Sequence, residues 1–161
     1  LNGLCFLFLY MKTITEYLIN NHIKKHITVS PTDPADLIDI VRKRIAKDPA
    51  ADLNDIDVSK IQTLDNLFMR DLFHGKDIKY TFDVSEWDVS NALSMQSIFR
   101  NIDYEGDLSN WDVSGVLDFD HAFADSKIDS DVSSWKINSK ANTKSMFART
   151  AIQEKYLPQG I

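Results

Sequence analysis

Two kinds of large aromatic residue recur along this chain at a single interval: Trp87, Trp111 and Trp135 lie 24 residues apart, and so do Phe99, Phe123 and Phe147. This period constrains the fold more than any other feature, because a unit of that size cannot bury a Trp and a Phe alone and must stack on its neighbours. Around the tryptophans lie Trp87-Asp88-Val89-Ser90, Trp111-Asp112-Val113-Ser114 and the weaker Trp135-Lys136-Ile137-Asn138. Each is preceded by an Asp-x-Ser triplet, at Asp83, Asp107 and Asp131. An earlier copy begins at Asp52 and carries Ile56 for Trp and Phe68 for the later Phe. Ile56 precedes Trp87 by 31 residues, so seven are inserted, and the reading places them within Met69 to Lys79.

Two periodicities alternate inside each unit. Trp111 and Val113 alternate as strand neighbours, whereas Leu64/Leu67/Phe68, Met95/Ile98/Phe99, Phe119/Ala122/Phe123 and Thr143/Met146/Phe147 follow i, i+3, i+4, the stripe of a short helix. The expected fold is therefore α/β, a short leucine-rich-repeat-like solenoid with one strand and one short helix per 24-residue repeat and an N-terminal helical cap. Its repeat core is predicted to be Leu64, Phe68, Trp87, Met95, Phe99, Trp111, Phe119, Phe123, Trp135, Met146 and Phe147.

Ahead of the repeats, Asp33 is a good N-cap, Pro34 suits a first helical position and Arg42 to Lys47 load the far end in agreement with the helix dipole. A capping box at Thr13 to Glu16 predicts another short helix over about 13–25. Residues 1–32 are read as an arm outside the core and 33–161 as the capped repeat domain. Leu1 to Tyr10 is apolar, but it lacks a basic flank and a cleavage site and is too short to span a bilayer, so no signal peptide and no membrane span are expected. The expected start of the soluble chain is Met11.

Charge and chemistry narrow the function. The net charge of −6 is spread unevenly, with seven Lys/Arg against five Asp/Glu in residues 1–50 and eleven against nineteen in 51–161. That acidity argues against nucleic acid as a partner. Cys5, the one cysteine, allows no internal disulfide. His22 and His26 have the spacing of a helical metal pair without a third ligand, and neither they nor His74 and His121 pair with a nucleophile. No catalytic residue, metal site or cofactor is assigned. The recurring Asp57, Asp83, Asp88, Asp107, Asp112 and Asp131 could align as a calcium site, but each fits better as a turn former bonding nearby N–H groups. Asp118 and Asp120, outside the apolar stripe, are the candidate partner-binding residues.

At Trp87 to Asn91, Met95 to Phe99 and Asp107 to Ser114 the chain resembles the BspA-like surface-protein repeats, a family of unknown function first described in mycoplasmas, whose unit reads roughly D-L-S-x-W-D-V-S-N-V-T-D-M-S-x-M-F. The resemblance covers about Asp52 to Phe147, and Leu37 to Ser59 is similar to the N-terminal cap of short members from Bacteroidetes and their phages. Leu93, Leu117 and Ala141 depart from the family's Thr, and Lys136 from its Asp. The resemblance implies a leucine-rich-repeat-like solenoid, often at cell surfaces and associated with adhesion or protein contacts, with no catalytic residue. The expected function is a non-enzymatic module for protein–protein binding, with an unidentified protein as partner. The alternative is a structural or assembly component of a phage or cell-surface particle.

Overall fold

The computed structural model describes residues 27–69, 78–128 and 130–159. The readings made for Leu1 to Tyr10, Cys5, the helix over 13–25, His22, His26 and His74 lie outside the described residues. Helix α1 spans Pro34–Lys47. Asp33 starts it by accepting the N–H groups of Ala35 and Asp36, each at 2.9 Å, with Pro34 supplying a fixed φ and no wasted donor. Leu37, Val41 and Ile45 recur every fourth residue and are buried, so one stripe of the helix faces the core. The helix ends where Asp48, in an extended conformation, precedes Pro49, a neighbour that disfavours helical geometry. Arg44 in its last turn forms a two-pronged ion pair with Asp55, and the Thr28 hydroxyl also donates to that carboxylate.

Beyond α1 the chain stacks on itself in parallel. Strands β1 (Lys79–Tyr80), β2 (Asp103–Tyr104) and β3 (Lys127–Ile128) form one sheet in the order β1-β2-β3, paired Lys79↔Asp103↔Lys127 and Tyr80↔Tyr104↔Ile128. Isolated parallel bridges extend the register at a second corner, Thr63↔Ser94↔Asp118↔Asn142, and a further bridge joins Asp52 to Asp83. Neighbouring rungs are thus 24 residues apart, except for the first step of 31 at both Asp52↔Asp83 and Thr63↔Ser94. A 3-10 turn, η1, follows at Glu154–Tyr156. Thr28 and Val29 also dock: both N–H groups donate to the Asp55 carbonyl, and Val29 bridges Ile56.

The architecture corrects the expected fold. Among the described residues there is one α-helix and a three-stranded parallel sheet of two-residue strands, without the curled succession of strand and helix that defines a leucine-rich-repeat-like solenoid. Among the described residues no rung holds an α-helix. The segments with i, i+3, i+4 stripes are chains of turns in which Asn66, Ser97, Asn101, His121, Asp125, Ser145 and Arg149 take φ between 53° and 59°. A left-handed residue cannot continue a right-handed helix. It sends the N–H groups on either side in different directions: Ile98 turns back to the Met95 carbonyl at 3.2 Å, while Met95, Ser97 and Phe99 donate to Asp118, Asp120 and Ala122 on the next rung at 2.9, 3.0 and 2.8 Å. The apolar spacing survives because these turns, like a helix, return side chains inward every three or four residues.

Inside the stack the aromatic rings form columns. Phe68, Phe99, Phe123 and Phe147 lie face to face with successive centroids 4.9, 5.6 and 5.1 Å apart, and Trp87 and Trp111 are parallel at 6.4 Å. Each indole N–H donates to a carbonyl of the preceding rung, Trp87 to Leu53, Trp111 to Val84 and Trp135 to Leu108, at 2.9 to 3.0 Å. A buried Trp needs such a partner for its one donor. Leu64, Met95, Phe119 and Met146 are buried beside these columns, while Phe147, the outermost ring, is only partly buried.

Candidate functional site

The recurring aspartates lie at the rung corners, each bonded within its own turn. Asp57, Asp83, Asp88, Asp107, Asp112 and Asp131 use one carboxylate oxygen to accept the N–H two residues on, at Ser59, Ser85, Ser90, Ser109, Ser114 and Ser133, over 2.8 to 3.1 Å. At Asp57, Asp83, Asp88 and Asp112 the serine hydroxyl donates to the same oxygen at 2.6 to 2.7 Å. These bonds favour the charged form, so the Asp112 and Asp131 carboxyls sit below the usual carboxylate range, held there first by the Ser114 and Ser133 hydroxyls. For Asp83 partial burial pushes the carboxyl up, and the bonds from Ser85 and Asn54 outweigh it to give a net lowering. Among the described residues no group of three or more His, Cys, Asp or Glu is arranged to hold a metal ion.

Asp118 and Asp120 are built into the stack rather than held out from it. Asp118 accepts the Asp120 N–H at 2.9 Å and the Asn142 side-chain amide of the next rung at 3.1 Å. Asp120 faces the His121 ring nitrogen at 2.8 Å. In the last rung Lys136 occupies the turn position of Asp88 and Asp112 and has no oxygen to offer. The turn moves two residues on: Asn138 accepts the Lys140 N–H at 3.0 Å, and the pairing resumes at Asn142.

Two outward faces remain. On the sheet side Lys79, Asp103 and Lys127 alternate in charge across the strands, with Glu105 bonded to Lys79 and Asp103 3.4 Å from Lys127. With Ile128 and Ala151 they line an open groove of about 410 Å³. On the turn side Leu93 and Leu117 are 45% and 46% exposed on adjacent rungs, and the Leu117 N–H donates to the Leu93 carbonyl at 2.8 Å. The stretch 83–125 that carries them has ten acidic residues and one basic residue, Arg100. Sequence reasoning notes the two leucines only as departures from a family pattern. Their recurrence at one position just outside the inward stripe is the signal that marks them as a surface pair.

No curated protein and no solved structure matches the chain. Among the described residues no helix is long and apolar enough to cross a membrane. The resemblance to BspA-like leucine-rich-repeat surface proteins gives way on two findings, the uncurled three-stranded sheet without repeated helices and the different family whose model matches. With the second half of α1 and every rung inside that match, the chain belongs to the family described as "Mycoplasma protein of unknown function, DUF285", matched over residues 41–158.

Proposed function

We propose that the chain is a non-enzymatic protein-binding module whose contact surface is the turn side of the acidic rungs, centred on Leu93 and Leu117. The observation that carries this reading is the pairing of two exposed leucines on adjacent rungs within a stretch of ten acidic residues and one basic residue. Apolar side chains held in the open by a rigid backbone suit a contact that supplies anchoring, and surrounding carboxylates suit steering of a basic partner. Asp118 and Asp120 serve that surface by fixing its shape, since Oδ1 of each is already bonded within the chain.

The test compares capture of basic proteins by the native chain and by Leu93→Ser/Leu117→Ser at low and high salt. The double variant should lose at least about tenfold in affinity, roughly 1.4 kcal/mol, and melt like the native protein because neither side chain packs inside. Screening over a Debye length of about 8–10 Å should weaken native capture as salt rises. Unchanged capture by the double variant places the contact elsewhere.

A further inference from the structure

The stack has an open edge of unusual regularity. In the rung before it, the N–H groups of Phe119, His121, Phe123 and Asp125 donate to the carbonyls of Asn142, Lys144, Met146 and Ala148 at 2.8 to 3.0 Å. One rung earlier, Met95, Ser97, Phe99 and Asn101 donate in the same way to Asp118, Asp120, Ala122 and Ala124. In the last rung the corresponding N–H groups belong to Thr143, Ser145, Phe147 and Arg149, and among the described residues none has an acceptor. Residues 150–158 cover the sheet side, where Ala151 donates to Ser126 and Val132 to Tyr156, but not this row. Among the described residues Phe147 ends the aromatic column with one ring neighbour, Phe123 at 5.1 Å, and is only partly buried.

The charge of this edge is opposite to that of the rungs before it. Residues 136–149 contain Lys136, Lys140, Lys144 and Arg149 and no acidic residue. Arg149 is bonded to Asp125 on the preceding rung, whereas Lys140 and Lys144 are exposed and form no ion pair among the described residues. A row of free backbone donors, an aromatic ring at its centre and unpaired cations beside it together specify an occupant. We infer that the 143–149 edge docks an acidic polypeptide segment with an aromatic residue, added in parallel as one more rung. Main-chain carbonyls of the segment take the four N–H groups, its aromatic ring extends the Phe column over Phe147, and its carboxylates meet Lys140 and Lys144. This surface and its charge differ from those of the proposed binding face, so either can fail without the other.

The chain's own segment 116–126, Val-Leu-Asp-Phe-Asp-His-Ala-Phe-Ala-Asp-Ser, has the required pattern and makes a defined probe as a labelled synthetic peptide. Its binding to the full chain is read by fluorescence anisotropy at low and high salt, alongside a control peptide in which every Asp is Lys. Amide hydrogen exchange then locates the site. Supporting results are salt-sensitive binding, at least about tenfold weaker for the control peptide and for Lys140→Glu/Lys144→Glu, with slowed exchange at Thr143, Ser145, Phe147 and Arg149. Both lysines are exposed, so the variant should melt like the native chain. No binding at low salt, equal binding of the control, or binding that leaves those four amides exchanging freely overturns the inference.

Discussion

Tyr104 is fully buried, and its hydroxyl has no hydrogen-bond partner among the described residues. Burial, reinforced by the Asp83 and Asp107 carboxylates, pushes the phenol above its usual range, so it stays neutral. A buried donor without an acceptor costs on the order of 1–3 kcal/mol. Tyr104→Phe should therefore stabilise the fold, by about 1 kcal/mol, in chemical denaturation. The ring itself fits because residue 106 is glycine: a Cβ there would lie 1.9 Å from the hydroxyl oxygen and 2.3 Å from the ring carbon Cζ. Gly106→Ala should cost about 1–3 kcal/mol, the range for overpacking. Phe at 104 should not rescue it, since Cζ is still in the way. A less stable Tyr104→Phe protein would mean that the hydroxyl is satisfied in solution.

Each rung's turn chain depends on residues that tolerate positive φ, and here the sequence is only partly legible. Asn66, Asn101, His121 and Asp125 are residue types enriched in that region, whereas Ser97, Ser145 and Arg149 give no such sign. The spacing Leu64/Leu67/Phe68 cannot separate a helix from successive turns, because both bring positions i, i+3 and i+4 to one side. The difference lies in where the backbone N–H groups go, which side-chain identity does not record. The 24-residue interval is readable because stacking needs the same large ring at the same place on each rung, and the signals around Asp33 mark α1 because a cap is a local structure. The open edge at 143–149 has no signature in its donors, although Lys136, Lys140 and Lys144 betray its charge. Ser145, half-buried with φ of 53°, tests the turn geometry directly. Ser145→Asn, a residue more at ease there, should raise stability by several tenths of a kcal/mol to about 1 kcal/mol. An equal loss in thermal melts would show that the hydroxyl matters more than the backbone.

For the molecule as a whole the carboxylates set the response to acid. Asp55, bonded first by Arg44, and Asp83, Asp112, Asp125 and Asp131 all have folded pKa values below the unfolded one. Their contribution is complete above the unfolded value of about 4 and is lost as pH falls through the folded values. Melting temperature should be nearly constant from pH 8 to 5 and drop below about pH 4, with a smaller drop in Asp55→Asn. A melting temperature that rises on acidification would contradict the sign. The first step of the stack also differs from the others in length, 31 residues against 24, yet Thr63↔Ser94 and Ser94↔Asp118 continue one register. Doubling a loop costs only about 0.6 kcal/mol in closure entropy. The register of the stack is thus indifferent to seven extra residues between its first two rungs, whereas deleting one residue within 94–104 would take Met95, Ser97, Phe99 and Asn101 out of step with the carbonyls of the next rung that they bond.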